Sequence, residues 1–281
     1  MTTMMEHSTS KSGRRPLIER LNVFTAFALG AISAFVVWRL ALQFLPADAE
    51  VAPLFTREDK ITLLSMIAWF VGFMTGIGAL VGPVRWIMGK DLSHDENMYY
   101  AGKDMGIKRY FRYTTDHKVV GIQYLAITMF IFFVGGVLAM LIRTNLGTPE
   151  GGWIHPQAYN SIVGTHGIIM IVGTIIMVTG PFGNYIMPIM IGARDMAFPR
   201  LNALSFWLIV AAAVPLLWGQ FIGGISTGWT AYNPLAGQAP LGMNGYIMFI
   251  CIFALSTMVA GRSEEHTSEL QSRETISYAV F

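Results

Sequence analysis

Residues 161–191 read SIVGTHGIIMIVGTIIMVTGPFGNYIMPIMI, thirty-one positions without an Asp, Glu, Lys or Arg. About 20 apolar residues suffice to span a bilayer as a helix, so this run is long enough to cross with residues to spare. Working outward, five more apolar stretches occupy 21–44, 61–88, 119–141, 203–225 and 243–261. The first is too long, and followed by too many further spans, to be a cleaved signal peptide. The expected fold class is all-α: a polytopic transmembrane helix bundle of about six spans. Composition agrees, since 53% of the 281 residues are hydrophobic and only 13% charged, against roughly 25% charged in an average globular chain. Mean hydropathy is +0.50. One cysteine excludes a disulfide scaffold, and the absence of a basic stripe excludes a nucleic-acid partner.

Basic residues set the expected orientation, because positively charged loops stay on the cytoplasmic side. The amino-terminal tail holds Lys11, Arg14, Arg15 and Arg20, and the second connection holds seven basic residues, among them Lys103, Lys108, Arg109, Arg112 and Lys118. Alternate connections are poorer: Arg57 and Lys60 stand among acids in the first, and Arg143 is alone in the third. The N-terminus is therefore expected to be cytoplasmic, with Arg194 and Arg200 on the same side. Polar residues 91–104 read as a linker between the first two spans and the rest. Within the second span, Gly72 and Gly76, and Gly78 and Gly82, pair four apart, a spacing that favours close helix packing over a nucleotide loop.

His166 is the one histidine of six inside an apolar span, about 8 Å from the outer end of that span at 1.5 Å rise per residue. Neutral imidazole ligates iron and serves in proton relays; the plainer alternative is a packed histidine bonded to a neighbouring helix. Arg143 closes the third span, where a side chain can simply snorkel to the interface. Asp195, just past the fourth span, is by itself an interfacial cap or a partner for Arg200. Asn184 needs polar partners inside its apolar surroundings, whether another helix or water. Cys251 reads as a small apolar residue.

Together, Thr115-Asp116-His117-Lys118, Leu141-Ile142-Arg143, Thr165-His166-Gly167, Phe182-Gly183-Asn184, the run from Asp195 to Asn202 (DMAFPRLN) and Thr227-Gly228-Trp229-Thr230 resemble subunit I of the heme-copper oxygen reductases, with A-type cytochrome c oxidases the nearest likeness. The resemblance covers residues 113–261 and keeps the family's motif order. It implies that His166 is an axial ligand of a low-spin heme iron and that Arg143 hydrogen-bonds a heme substituent, raising the reduction potential. It further implies a proton pathway opening at Asp195, with Asn184 and Asn202 ordering water in it and Tyr124 lining it. The charge-based orientation agrees, since it sets His166 and Arg143 near the outer face and Asp195 at the inner one.

Some positions depart from the family pattern. Arg194 stands where proline is common and should depress the pKa of the neighbouring acid. Asn145 stands where many members have glutamate, which puts a nearby cation site in doubt. Gly180-Pro181 replaces glycines, so the helix is expected to kink differently there. Two spans within residues 1–105 are additional to the core at 106–261. From Arg262 the apolar pattern stops; residues 262–272 back-translate in frame to a common short-read sequencing adapter, and 276–281 fit the same adapter further along. Residues 262–281 are therefore expected not to be biological.

The resemblance implies a respiratory terminal oxidase of a bacterial inner membrane, reducing dioxygen to water with electrons from cytochrome c and translocating protons. Its implied partners are a subunit II that delivers electrons, the other oxidase subunits and membrane lipid. High-spin heme and copper belong to the intact subunit only, since the ligands of that centre lie beyond the fourth core helix; the chain alone is expected to be inactive. The rivals are a quinol-oxidising enzyme and, from another class, a proton-coupled transporter or cofactor-free membrane scaffold.

Overall fold

The computed structural model describes residues 21–46, 56–87, 106–147 and 152–279. The basic amino-terminal tail and the 91–104 linker lie outside the described residues. Every element among those described is helical, and six helices are long and apolar enough to cross a membrane. They are α1 (Val23–Phe44), α2 (Arg57–Ile77), α4 (His117–Asn145), the rod Pro156–Met190, α7 (Pro199–Gly219, prolonged by a 3-10 turn Gln220–Ile222) and α8 (Gly242–Ala279). The rod comprises α5 (Pro156–Met177), a π-helical turn (Val178–Gly183) and α6 (Asn184–Met190). A short α3 (Val81–Ile87) and a 3-10 segment (Gly106–Phe111) flank the linker.

Local chemistry sets the boundaries. Asn22 and Thr25 form a capping box that starts α1, and Thr56 and Asp59 form one that starts α2. The second span therefore opens earlier than its apolar run, through Arg57, Glu58, Asp59 and Lys60. It also ends earlier. Gly78 takes a left-handed conformation (φ 88°) and caps α2, so the expected single span over 61–88 is two helices. Arg57 closes the α1–α2 hairpin, donating to the Leu42 and Leu45 carbonyls (2.6 and 3.1 Å) at the end of α1, where the helix itself supplies no donors.

Gly72 and Gly76 behave as their spacing predicts, while the surroundings of Gly82 lie outside what the structure describes. A Cβ on Gly76 would lie 2.5 Å from the Thr25 carbonyl oxygen, and one on Gly72 2.6 Å from that of Leu29. Close contact lets Thr25 Oγ1 donate to the Gly76 carbonyl and Ser33 Oγ to that of Ala68, both at 2.7 Å. Gly76→Ala should therefore strain the hairpin by about 1–3 kcal/mol. Thermal unfolding will show a lowered midpoint for this variant and none for Gly237→Ala, where nothing lies within 4 Å of the new methyl.

α7 is the hub. Two thirds of its apolar stretch is buried (67%), against 11% for α1 and α4, which places it at the centre and them at the edge. α2 packs on α7 and α8: Phe73 is fully buried with its ring 6.3 Å from that of Trp207, and Asn244 Nδ2 donates to Asp59 Oδ1 at 2.9 Å. The α1–α2 hairpin is thus part of the bundle.

The rod leaves regular α geometry where a kink is expected. Pro181 has no N–H and its ring crowds the preceding turn, so the helix widens into a π turn instead of breaking. At the other end of the chain α8 runs on past 261, with Ser263 and Thr267 buried. Loss of apolar pattern does not stop a helix when the following residues contain no Gly or Pro.

Candidate functional site

The alternation of spans puts the starts of α1, α4 and α7 on one side of the bundle, called here the amino side. His166 lies in α5, in the half away from that side. Gly135 is what lets α4 reach it: a Cβ there would be 2.8 Å from Met170 Sδ, so the two helices meet closely. The Gly135 carbonyl then lies 3.0 Å from His166 Nδ1. A carbonyl only accepts, so Nδ1 carries the proton in this bond, the tautomer in which Nε2 holds the ring's lone pair. A backbone acceptor of this kind fixes the tautomer and ring orientation of metal-ligating histidines, so His166 could hold a metal through its other nitrogen.

The segment after α7 packs beside the small residues around His166: a Cβ on Gly167 would lie 3.5 Å from the Trp229 side chain and one on Gly164 3.4 Å from Ile225. Tyr246 of α8 donates to the Trp229 carbonyl and holds that segment in place. Arg143 is exposed near the end of α4, about 12 Å along the axis from Gly135; the structure does not bring it into contact with His166. Asn145 acts locally. Its Oδ1 accepts from Ile154 N–H at 2.8 Å and fills the space beside Gly152, closing the connection between α4 and α5. Among the described residues, no three His, Cys, Asp or Glu gather as a metal site.

A second polar group occupies the half nearer the amino side. Ser205 Oγ donates to the Asn202 carbonyl (2.7 Å), so the Tyr124 hydroxyl must be the donor in its 2.7 Å bond to Ser205. Ser256 Oγ donates to the Ser205 carbonyl at 2.7 Å. Gly180 makes room for the Tyr124 ring, since a Cβ there would be 2.6 Å from Cδ1. One turn away, Asn184 Nδ2 donates to the Gly180 carbonyl (2.7 Å) and the Asn184 carbonyl accepts from His117 Nδ1 (2.8 Å).

This group is short of protein partners. Asn184 Oδ1, both amide atoms of Asn202 and Thr128 Oγ1 are buried without a hydrogen bond, and both asparagines are wholly inaccessible. An unsatisfied buried polar group costs about 1–3 kcal/mol, so internal water is the natural complement. Asp195 is half-buried in the turn between α6 and α7, where its Oδ1 accepts from Met196 N–H at 2.8 Å. His117, Thr128, Ser205, Ser256 and Gly135 are functional candidates that the sequence does not single out. For Ser205 a signal is present, three residues after Asn202 on one helical face.

Comparison with known proteins meets the same residues. Residues 119–264, half of the chain, match the family model described as cytochrome C and quinol oxidase polypeptide I. A cytochrome c oxidase subunit 1 from Thermostichus vulcanus is 45% identical over 153 residues, covering 53% of this chain and 28% of the relative. One from Synechocystis sp. is 45% identical over 127 residues, covering 45% and 23%. A probable quinol oxidase subunit 1 from Staphylococcus aureus is 40% identical over 151 residues, covering 53% and 23%. The matched stretch thus spans about a quarter of the length of these curated relatives.

Proposed function

Taking as premise that the chain belongs to the cytochrome c and quinol oxidase polypeptide I family, we propose that it forms part of the catalytic subunit of a bacterial terminal oxidase that reduces dioxygen to water and couples this to proton translocation. The observation that carries the proposal is the His166 ring, whose Nδ1–H is fixed on the Gly135 carbonyl and whose Nε2 lone pair is left for a metal. His166 would be a ligand of a low-spin heme, which when bound would take up and pass on single electrons. Arg143, exposed beyond it, would pair with a heme substituent. The high-spin heme, the copper and the remaining ligands would be supplied by the intact subunit outside these residues.

Asp195, Asn184, Asn202 and Tyr124 form the proton pathway in this reading, with the amino side cytoplasmic. Its support is the set of buried amide atoms without a partner among the described residues, together with the Tyr124–Ser205–Asn202 chain of hydrogen bonds. Cytochrome c is the proposed donor, delivered through a subunit II partner. Quinol is the second reading, favoured by the similarity to the Staphylococcus relative. A reduced-minus-oxidised spectrum of the full-length protein purified with its partners tests the reading: a low-spin heme band is expected, and its absence refutes the oxidase in favour of a transporter or scaffold.

Residues 1–105 are, in this proposal, an extension of two helices and a charged linker on an oxidase core at 106–261, and residues 262–281 are translated adapter. Sequencing the source DNA across codon 261 should show a different continuation, and an uninterrupted native reading of 262–281 would overturn that assignment.

A further inference from the structure

In the half of the bundle away from the amino side, one polar joint belongs neither to the heme reading nor to the proton pathway. Ser161 Oγ donates to Gln220 Oε1 at 2.6 Å and accepts from the Ile225 N–H at 3.0 Å. Gly224 sits against it so closely that a Cβ would lie 1.9 Å from Ser161 Oγ, and with φ at 69° the position favours glycine twice over. These contacts tie α5 to the turn that ends α7. One helical turn further along the same face of α5 stands Thr165, 1% exposed.

Two atoms of this joint are buried and have no hydrogen-bond partner, Thr165 Oγ1 and Gln220 Nε2. Other hydroxyls in these helices bond back to the carbonyl four residues earlier, as Thr174 does to Met170 (2.7 Å) and Ser65 to Ile61 (2.7 Å). Thr165 does not, so its hydroxyl is left for another partner. Exchanging the nitrogen and oxygen of the Gln220 amide leaves one orphan in either setting, because Ser161 can satisfy only one of the two atoms.

We infer that Ser161, Thr165 and Gln220 hold an internal water molecule at the joint between α5 and α7. Its oxygen accepts from Gln220 Nε2–H and it shares a second hydrogen bond with Thr165 Oγ1, giving it two fixed partners beside the Ser161 hydroxyl. The water goes no further toward the amino side. Beyond it, α4, α5, α7 and α8 line a partly open cleft of ≈ 50 Å³ whose walls are apolar side chains, including Ile169, Val172, Leu216 and Leu217, which offer no hydrogen bond. The joint is therefore a closed hydration site, separated by an apolar interval from the Asn184–Asn202 group.

A density map of the intact protein that resolves ordered water tests this without reference to oxidase activity. A peak within hydrogen-bonding distance of both Thr165 Oγ1 and Gln220 Nε2 is expected, and a wild-type map without it overturns the inference on its own. In Thr165→Val, which keeps shape and removes the hydroxyl, the peak should be lost. Thr165→Ser should restore it. A peak equally strong in Thr165→Val would show that the water is not held by Thr165 and would likewise overturn the site.

Discussion

His166→Ala in the full-length subunit, purified with its partners, should abolish the reduced low-spin heme band. Among the described residues, Ile225 and Trp229, which pack against the flanking Gly164 and Gly167, offer no nitrogen with a free lone pair. Loss of a supporting group around a metal ligand already weakens binding about 10–100-fold, and loss of the ligand itself should exceed that. Because His166 is only half-buried and its hydrogen bond is to a backbone carbonyl, the alanine should leave the helices assembled. Normal membrane insertion with a missing band is therefore the expected pair of results. A band of unchanged position and intensity would contradict the ligand assignment.

Asp195→Asn carries the second large effect. Asparagine keeps the oxygen that accepts from Met196 N–H, so the turn between α6 and α7 should hold. It removes the carboxylate, and an amide cannot take up and release a proton in its place. Proton uptake should slow by roughly 100-fold, the lower range of what one positioned proton-transfer group contributes, while the heme spectrum stays as in wild type. Asp195→Glu should recover part of the rate. Unaltered turnover and pumping in Asp195→Asn would remove Asp195 from the pathway.

The spans and most of the candidate residues are legible in the sequence because both signals are local. An apolar run of about 20 residues has one economical structure in a bilayer, and a lone histidine or asparagine inside it stands out by its cost. The differences between sequence and structure have physical causes of the same kind. Gly78 shares its spacing with the packing glycines Gly72 and Gly76; a glycine that ends a helix and one that admits a neighbour look alike until its φ is known. Hydropathy ends the sixth span at 261, whereas helix continuation depends on backbone propensity, and Arg, Ser, Glu and Leu sustain it in α8.

The proposed site depends more on assembly. Imidazole at 166 is visible in the sequence, yet its orientation depends on the Gly135 carbonyl, a backbone atom on another helix that no residue type announces. Likewise Asn202 and Asn184 stand out individually, but their shortage of partners emerges only once α4, α6 and α7 are assembled. Arg143 is the reverse case: the resemblance implies a pairing with a heme substituent, while the folded chain presents it exposed near a helix end.

Oxygen uptake by the complete protein with its partner subunits, supplied in turn with reduced cytochrome c and with a quinol, tests the oxidase proposal most directly. Dioxygen should be consumed with four electrons delivered per molecule and water as product, faster with cytochrome c, and the His166→Ala form should consume none. An intact, correctly inserted complex that consumes no dioxygen with either donor would contradict the proposal.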